Sequence, residues 1–240
     1  GGIYTDNEIN YGVSLERLKQ MLTGITIKKV CWFFDKCWFL NDRTMEEIIP
    51  LTDYVFLNDG NWVRRHKYKN VFELHCGVGK VFEGKPRKEY QHDIVFYGEV
   101  YGFIEPFLKI LKQEFGKKFK IFNNVFEQDL ADLIASAKMI FVPVQPNDEF
   151  YWDNRIYQVL GHGGLLVYPK LYGLEEEGFV SGKHYLGYKR AHELKQIIQD
   201  NLKTPNTQIA EEGQKFVERF SYANRLKELF YKINETKTSN

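Results

Sequence analysis

Residues 93–102 read Asp-Ile-Val-Phe-Tyr-Gly-Glu-Val-Tyr-Gly. Ile94, Val95, Phe96 and Tyr97 form an unbroken apolar run, and Gly98 and Gly102 bracket the turn that follows. A strand with one wet face alternates apolar and polar residues; a continuous run predicts a strand buried on both faces. A helix is expected next, over residues 104–115, with Phe107, Leu108 and Leu111 on its inner side. The rhythm then repeats. Strands are expected at 119–122, 139–144 and 165–168, and helices at 129–137, 154–160, 191–202, 207–220 and 222–233. Strand–helix alternation of this kind builds right-handed βαβ units into a parallel, doubly wound α/β sheet.

Before this block the chain changes character. Residues 79–92 (GKVFEGKPRKEYQH) are polar, with two glycines and a proline, and read as a linker. Further toward the N terminus a helix is expected over 14–22, with Ser14 as its cap and Leu15, Leu18 and Leu22 on one face. Strands are expected at 29–34 (KVCWFF), 54–57 (YVFL) and 71–74 (VFEL), and a short helix at 43–49 that Pro50 stops. The chain therefore divides into a first domain over 1–80, a second over 90–222 and a final segment over 223–240, whose tail after Asn234 is expected to fray.

Composition narrows the function classes. The 240 residues carry 33 Lys and Arg against 32 Asp and Glu, so there is no basic excess of the kind that marks a nucleic-acid binder. The three cysteines, Cys31, Cys37 and Cys76, have neither a disulfide framework nor a zinc spacing and read as free thiols in a reducing compartment. No stretch approaches the roughly 20 apolar residues of a membrane span, and no signal-peptide pattern is present. These features predict a cytoplasmic protein. P-loop, H-E-x-x-H and G-x-S-x-G patterns are absent, which removes the usual support for kinase, zinc-protease and serine-hydrolase readings.

In open α/β sheets ligands bind beyond the carboxyl ends of the strands, so residues that follow each strand carry the chemistry. Gly98 to Gly102, with Tyr101 between them, forms a glycine-flanked turn suited to a phosphate or simply to the bend. The densest stretch is 150–164, FYWDNRIYQVLGHGG. It places Asn154, Arg155, Tyr157 and Gln158 at a helix start and runs through His162 into the turn Gly163-Gly164. A guanidinium beside free helix amides suits a diphosphate; pairing with Asp148 or Asp153 is the alternative. Glu175 follows the strand at 165–168 and suits either a sugar hydroxyl or a solvated helix start. In the first half, Asp35, Asp59 and His75 follow the three expected strands and are candidate general bases. Asp59 equally suits a turn, because Asn-Asp-Gly is a turn sequence.

These stretches, in order, resemble group 1 glycosyltransferases, specifically the branch of spore-maturation (CgeB-like) proteins. The resemblance runs through DIVFYGEVYG (93–102), DLADLIASAK (129–138), FYWDNRIYQVLGHGGLLVYP (150–169), GLEEEGFVSGKHYLGY (173–188) and ERFSYANRLKELF (218–230). In the first half it runs through VCWFFDKCWFL (31–40), TDYVFLNDG (52–60) and NVFELHCGV (70–78). It implies a GT-B fold of two Rossmann-like domains, the first one short or truncated, with a last helix that braces the first domain. It also implies a nucleotide-diphosphate sugar, UDP-linked, as donor, with no metal or other cofactor. Base and ribose are then expected near Asn124, Phe126, Tyr157 and Gln158, and the diphosphate near Gly98 and Arg155. The family's pair of glutamates eight residues apart is replaced here by Phe150 and Gln158, which leaves the stereochemistry open.

The expected activity is sugar transfer to a hydroxyl acceptor on a glycan, protein, small molecule or modified DNA. Two alternatives stand beside it. One is a non-catalytic nucleotide-sugar-binding module. The other is a phage-type enzyme acting on a hydroxymethylated DNA base, with the cationic and aromatic run WVRRHKYK (62–69) tracking the strand or forming a solvated helix face.

Overall fold

A computed structural model describes residues 8–9, 13–34, 41–100, 102–144, 149–204 and 206–238. The chain forms two compact units. Unit one comprises residues 1–76, 149–151 and 223–240, and unit two comprises residues 77–148 and 152–222.

Unit one opens with a two-residue antiparallel pair, β1 (Glu8–Ile9) and β2 (Val13–Ser14), followed by α1 (Leu15–Gly24). Three parallel strands follow: β3 (Val30–Phe33), β4 (Tyr54–Leu57) and β5 (Val71–Glu73), with β4 in the middle. Between them lie α2 (Asn41–Ile48) and α3 (Gly60–His66). As expected, α2 ends ahead of Pro50, which sits near the start of a 3₁₀ turn, Ile49–Leu51, where a missing N–H is tolerated. All four residues of β4 are buried. Side chains alternate across a strand, so Val55 and Leu57 join Met45, Ile49, Trp62 and Val71, while Tyr54 and Phe56 join Leu74, Leu229 and Ile233.

Unit two contains β6 (Ile94–Tyr97), α4 (Ile104–Phe115), β7 (Phe119–Phe122), α5 (Glu127–Ser136) and β8 (Met139–Phe141). It continues through α6 (Arg155–Gly161), β9 (Leu166–Pro169), β10 (Leu186–Tyr188), α7 (Ala191–Lys203) and α8 (Thr207–Val217). The five strands are parallel, in the order β10-β9-β8-β6-β7. One face packs Ile94, Phe96, Met139, Phe141, Val167 and Leu186 against α4 and α7. Val95, Ile140 and Leu166 point the other way and are equally buried. The last helix, α9 (Tyr222–Thr238), returns to unit one, where Leu229 and Ile233 complete the cluster around Tyr54. It is also held by Arg225, 4% exposed, whose Nε donates to the Cys76 carbonyl at 3.1 Å.

The structure corrects several expectations. Residues 79–92 are not a loose linker. The Lys85 amide donates to Asp132 at 2.8 Å, the Arg87 amide to Ser136 Oγ at 2.8 Å and the Phe82 amide to His162 Nε2 at 3.3 Å. Those partners lie in or beside α5 and α6, so the stretch is a bound part of unit two. The polar composition that suggested a linker comes from backbone groups answered by side chains rather than by a ladder. Strand β10 was not anticipated, because Leu-Gly-Tyr is too short a signal. The tail expected to fray after Asn234 continues as helix to Thr238. Among the described residues, no helix is long and apolar enough to cross a membrane.

Packing of α8 gives a test. A Cβ on Gly213 would fall on the carbonyl oxygen of His184 and within 2.9 Å of Leu160 Cδ2. Intrinsic propensity favours Ala over Gly in a helix by about 1 kcal/mol, but overpacking a filled site costs about 1–3 kcal/mol. Gly213→Ala is therefore expected to lower the thermal unfolding midpoint. A raised midpoint would show that α8 does not press on the 180–185 turn as described.

Candidate functional site

Strand β6 lies between β7 and β8. The chain leaves β6 for α4 on one face and reaches β8 from α5 on the other, so the carboxyl ends of β6 and β8 form the topological switch point of the sheet, where ligands of such folds bind. Three chain segments converge there: the turn after β6, the start of α6, and the end of β9.

Gly98 ends β6 with φ +118°, a conformation side chains rarely adopt, and its amide donates to the Phe122 carbonyl at 2.9 Å. A Cβ at Gly98 would lie 3.4 Å from Nη1 of Arg155. The glycine thus lets the guanidinium come up against the backbone of the turn. Arg155 Nη1 also contacts the Tyr97 carbonyl at 3.4 Å, and its guanidinium lies 5.7 Å from the centre of the Phe96 ring. The amides of Glu99 and Val100, next in the turn, have no partner among the described residues.

Arg155 is not a free cation. Asp153 accepts from its Nε at 2.9 Å, from its Nη2 at 2.8 Å and from its backbone N–H at 2.7 Å. Burial works against both charges, yet each is held by the other: the Asp153 carboxyl lies below its usual range, and the Arg155 guanidinium binds its proton more firmly than usual. The expectation of open helix amides fails here. Besides the Arg155 amide, the Ile156 amide donates to the Asp153 carbonyl and the Tyr157 amide to the Asn154 carbonyl. The donors left for a ligand come from the outer edge of the guanidinium and from the turn after Gly98.

Gln158 lies one helical turn beyond Asn154. Its Oε1 accepts from the Tyr97 hydroxyl at 3.1 Å, and its NH2 group has no partner among the described residues. Burial raises the Tyr97 hydroxyl's pKa well above its ordinary value, so it stays a donor. Asn154 Oδ1 is buried and has no hydrogen-bond partner among the described residues. An orphaned acceptor of this kind calls for an explanation, and it stands next to Arg155 in the chain.

Other predicted donor-side residues fall elsewhere. Tyr157 is 0% exposed, its hydroxyl accepts from Trp152 Nε1 at 2.9 Å, and its ring packs edge-on to Phe179 and Phe220. It is a core residue. His162 caps α6: Nδ1 faces the Gln158 carbonyl at 2.7 Å and Nε2 accepts from Phe82. Its ring clamps residues 77–92 to α6 instead of facing a ligand. Gly163 (φ +74°) is a turn residue lying against Gln214. Asn124 (φ +55°) and Phe126 lie at the β7–α5 turn, and Phe126 is 69% exposed, an apolar ring open to a planar partner. Glu175 is exposed, and its charge helps burial raise the Tyr185 hydroxyl's pKa. Tyr101 lies outside the described residues.

Unit one has its own polar cluster at the ends of β4 and β5. His75, 3% exposed, faces Asn58 Oδ1 through Nδ1 at 3.3 Å and Glu73 Oε1 through Nε2 at 2.9 Å. Asn58 Oδ1 also accepts from the Cys76 amide at 3.0 Å. Arg64 closes the far side, with Nη2 2.9 Å from Glu73 Oε2 and its guanidinium 3.6 Å from the centre of the Phe150 ring. Burial pushes the Glu73 carboxyl up, but His75 and Arg64 outweigh it and hold it below the usual range. Gly60 lies directly beside this carboxylate, which would have to shift to admit a Cβ there. Phe150 holds φ +51°, a strained value for a bulky residue. Glu73 and Arg64 were not singled out from sequence; the spacing of Glu73 and His75, two apart in an extended run, is the signal that puts both on one side.

Asp59 is the N-cap of α3, accepting from the Trp62 amide at 3.0 Å, and is 5% exposed. Its turn reading is the one the geometry favours. Asp35 lies outside the described residues. In the run 62–69, Trp62 is 1% exposed and stacks with the half-buried rings of His66 and Tyr68, so its indole is taken up by the core of unit one. Among the described residues, no group of three or more His, Cys, Asp or Glu side chains converges as a metal set would.

Comparison with known proteins adds to this geometry. Among solved structures, the fold is similar to that of HepE from Anabaena in complex with UDP-glucose, with a TM-score of 0.66 at 13% identity over 94% of this chain and 76% of that one. It is likewise similar to sucrose-phosphate synthase from Thermosynechococcus elongatus, with a TM-score of 0.63 at 11% identity over 94% of this chain and 72% of that one. No curated protein matches by sequence. The family profile described as glycosyl transferase-like matches residues 83–230. That match spans more than half of the 240 residues and contains the whole Gly98–Arg155 site, and the chain therefore belongs to the glycosyl transferase-like family.

Proposed function

We propose that the protein is a GT-B glycosyltransferase of the CgeB-like branch, with two Rossmann-like domains, that moves a sugar from a UDP-linked donor to a hydroxyl acceptor without a metal. The observation that carries this reading is the approach of Arg155 Nη1 to the Gly98 turn at the switch point of unit two. Transfer breaks the bond between the anomeric carbon and the leaving phosphate oxygen and forms one to the acceptor oxygen. Negative charge grows on the departing diphosphate. A pre-positioned guanidinium edge and unpaired turn amides stabilise that charge more in the transition state than in the ground state. Phe126 offers a face for the base. HepE, which shares the fold, is known in complex with UDP and UDP-glucose, and this supports the choice of uridine.

On the acceptor side we assign the proton to Asp35, by subtraction. Asp59 is engaged as a helix cap, and His75 is buried between Asn58 and Glu73. The free thiols Cys31 and Cys76 suit a reducing, cytoplasmic compartment.

Calorimetric titration with UDP, GDP and their sugar conjugates tests the donor assignment. Saturable UDP binding is expected, and it should persist in EDTA; loss of binding on chelation would refute metal independence. Turnover of UDP-glucose to free UDP separates an enzyme from a non-catalytic binder.

Arg155→Ala is expected to weaken UDP binding by about tenfold to a hundredfold, the span of a hydrogen bond to a charged group, with the circular dichroism spectrum unchanged. Equal affinity in the variant would remove Arg155 from the site.

A further inference from the structure

We infer that Asp153 is a positioning residue of the donor site: it holds the Arg155 guanidinium in one orientation, so that a single edge of the fork faces the turn after Gly98 and reads the second phosphate of a nucleoside diphosphate. The inference rests on the reading of that turn as the diphosphate site.

The geometry is specific. Asp153 and Arg155 are two residues apart, and the carboxylate accepts from the Arg155 backbone N–H at 2.7 Å, from Nε at 2.9 Å and from Nη2 at 2.8 Å. Two parallel bonds to a planar fork fix its plane as well as its place. Asp153 is itself anchored: its backbone N–H donates to the Tyr168 hydroxyl at 3.1 Å, and Tyr168 is fully buried within β9. The arginine is thereby tied to the sheet at one end and brought to the carboxyl end of β6 at the other. Only 15% of its side chain is exposed. Nη1 points to the Gly98 turn, and Asn154, between the two charged residues, holds the buried Oδ1 that lacks a partner.

A bare arginine attracts any anion. Arg155 is already compensated by Asp153, so the pair draws a ligand through directed N–H groups more than through net charge. Such a device favours a ligand whose phosphate oxygen sits at the presented edge. It gives little to one that ends a phosphate short.

The test compares UDP with UMP by calorimetry on the full chain, in the wild type, Asp153→Asn, Arg155→Ala and the double variant. The wild type is expected to prefer UDP by about tenfold or more. Asp153→Asn turns an amide NH2 toward the guanidinium and loosens its orientation, so the UDP preference should fall severalfold, with UMP bound no less tightly than in the wild type. In the Arg155→Ala background, where Asp153 is left as an unpaired carboxylate, adding Asp153→Asn should lower UDP affinity no further, the non-additivity expected of residues that act as one unit. A UDP preference retained in Asp153→Asn, or an equal loss in both backgrounds, would overturn the role. If Asp153→Asn also loses UMP, Tyr168→Phe decides. Removing the hydroxyl that anchors Asp153 should cut the UDP preference severalfold with UMP binding intact, and no change would overturn the inference. A wild type that binds neither nucleotide refutes the donor site itself, whereas one that binds both equally refutes only the positioning role.

Discussion

A parallel sheet has to be covered on both faces, because each strand sends alternate side chains to each side and none of its apolar surface can be left in water. In unit two this constraint settles most of the rest. Every residue of β6 is buried, with Ile94 and Phe96 packed toward α4 and Val95 and Tyr97 directed the other way. Helices must therefore lie on both faces, and the chain must change direction at β6. Only at the strand ends are polar groups free of that packing. Gly98, Tyr97, Asp153, Arg155 and Gln158 gather there, with Asp153 paired to Arg155 and Tyr97 to Gln158.

Unit one answers the same constraint with three strands, and its central strand is again fully buried. Its polar groups are also placed at strand ends, but they are organised differently. Glu73 joins His75 to Arg64, Asn58 ties the imidazole to the backbone of Cys76, and Gly60 leaves room for the carboxylate. Each member of this cluster has a protein partner. At the switch point of unit two, in contrast, an orphaned carbonyl on Asn154 and a half-used amide on Gln158 remain. The difference separates a self-satisfied network from one with hydrogen-bonding capacity left over.

Much of this was legible in the residues. Unbroken apolar runs such as 54–57 and 94–97 identify their strands without help, because no other short element buries every side chain. Arg155 could be placed beside Gly98 by strand-end logic, and Asp153 was one of its two candidate partners. Other features needed three dimensions. Tyr157 and His162 share a dense, ligand-like stretch with Arg155, yet a helix turns successive residues about 100° apart, and these two face the core and residues 77–92. Trp62 sits in a run of cations that reads as wet, although its indole fills the centre of unit one. The meeting of Tyr97 with Gln158, 61 positions apart in the chain, has no local signature.

Residues 77–92 also bear on how the chain tolerates change. The stretch is polar and rich in glycine and lysine, as places that accept insertions or yield to proteases often are. Here those residues are laced to α5 and α6 through Asp132, Ser136, Gln128 and His162, and a Cβ at Gly84 would strike the Ala131 carbonyl. Cutting or lengthening the chain at this point first requires several of these bonds to open together, with α5 left bare. The segment is therefore a poor site for a graft or a cleavage tag, and its length is fixed by the helices it lies on.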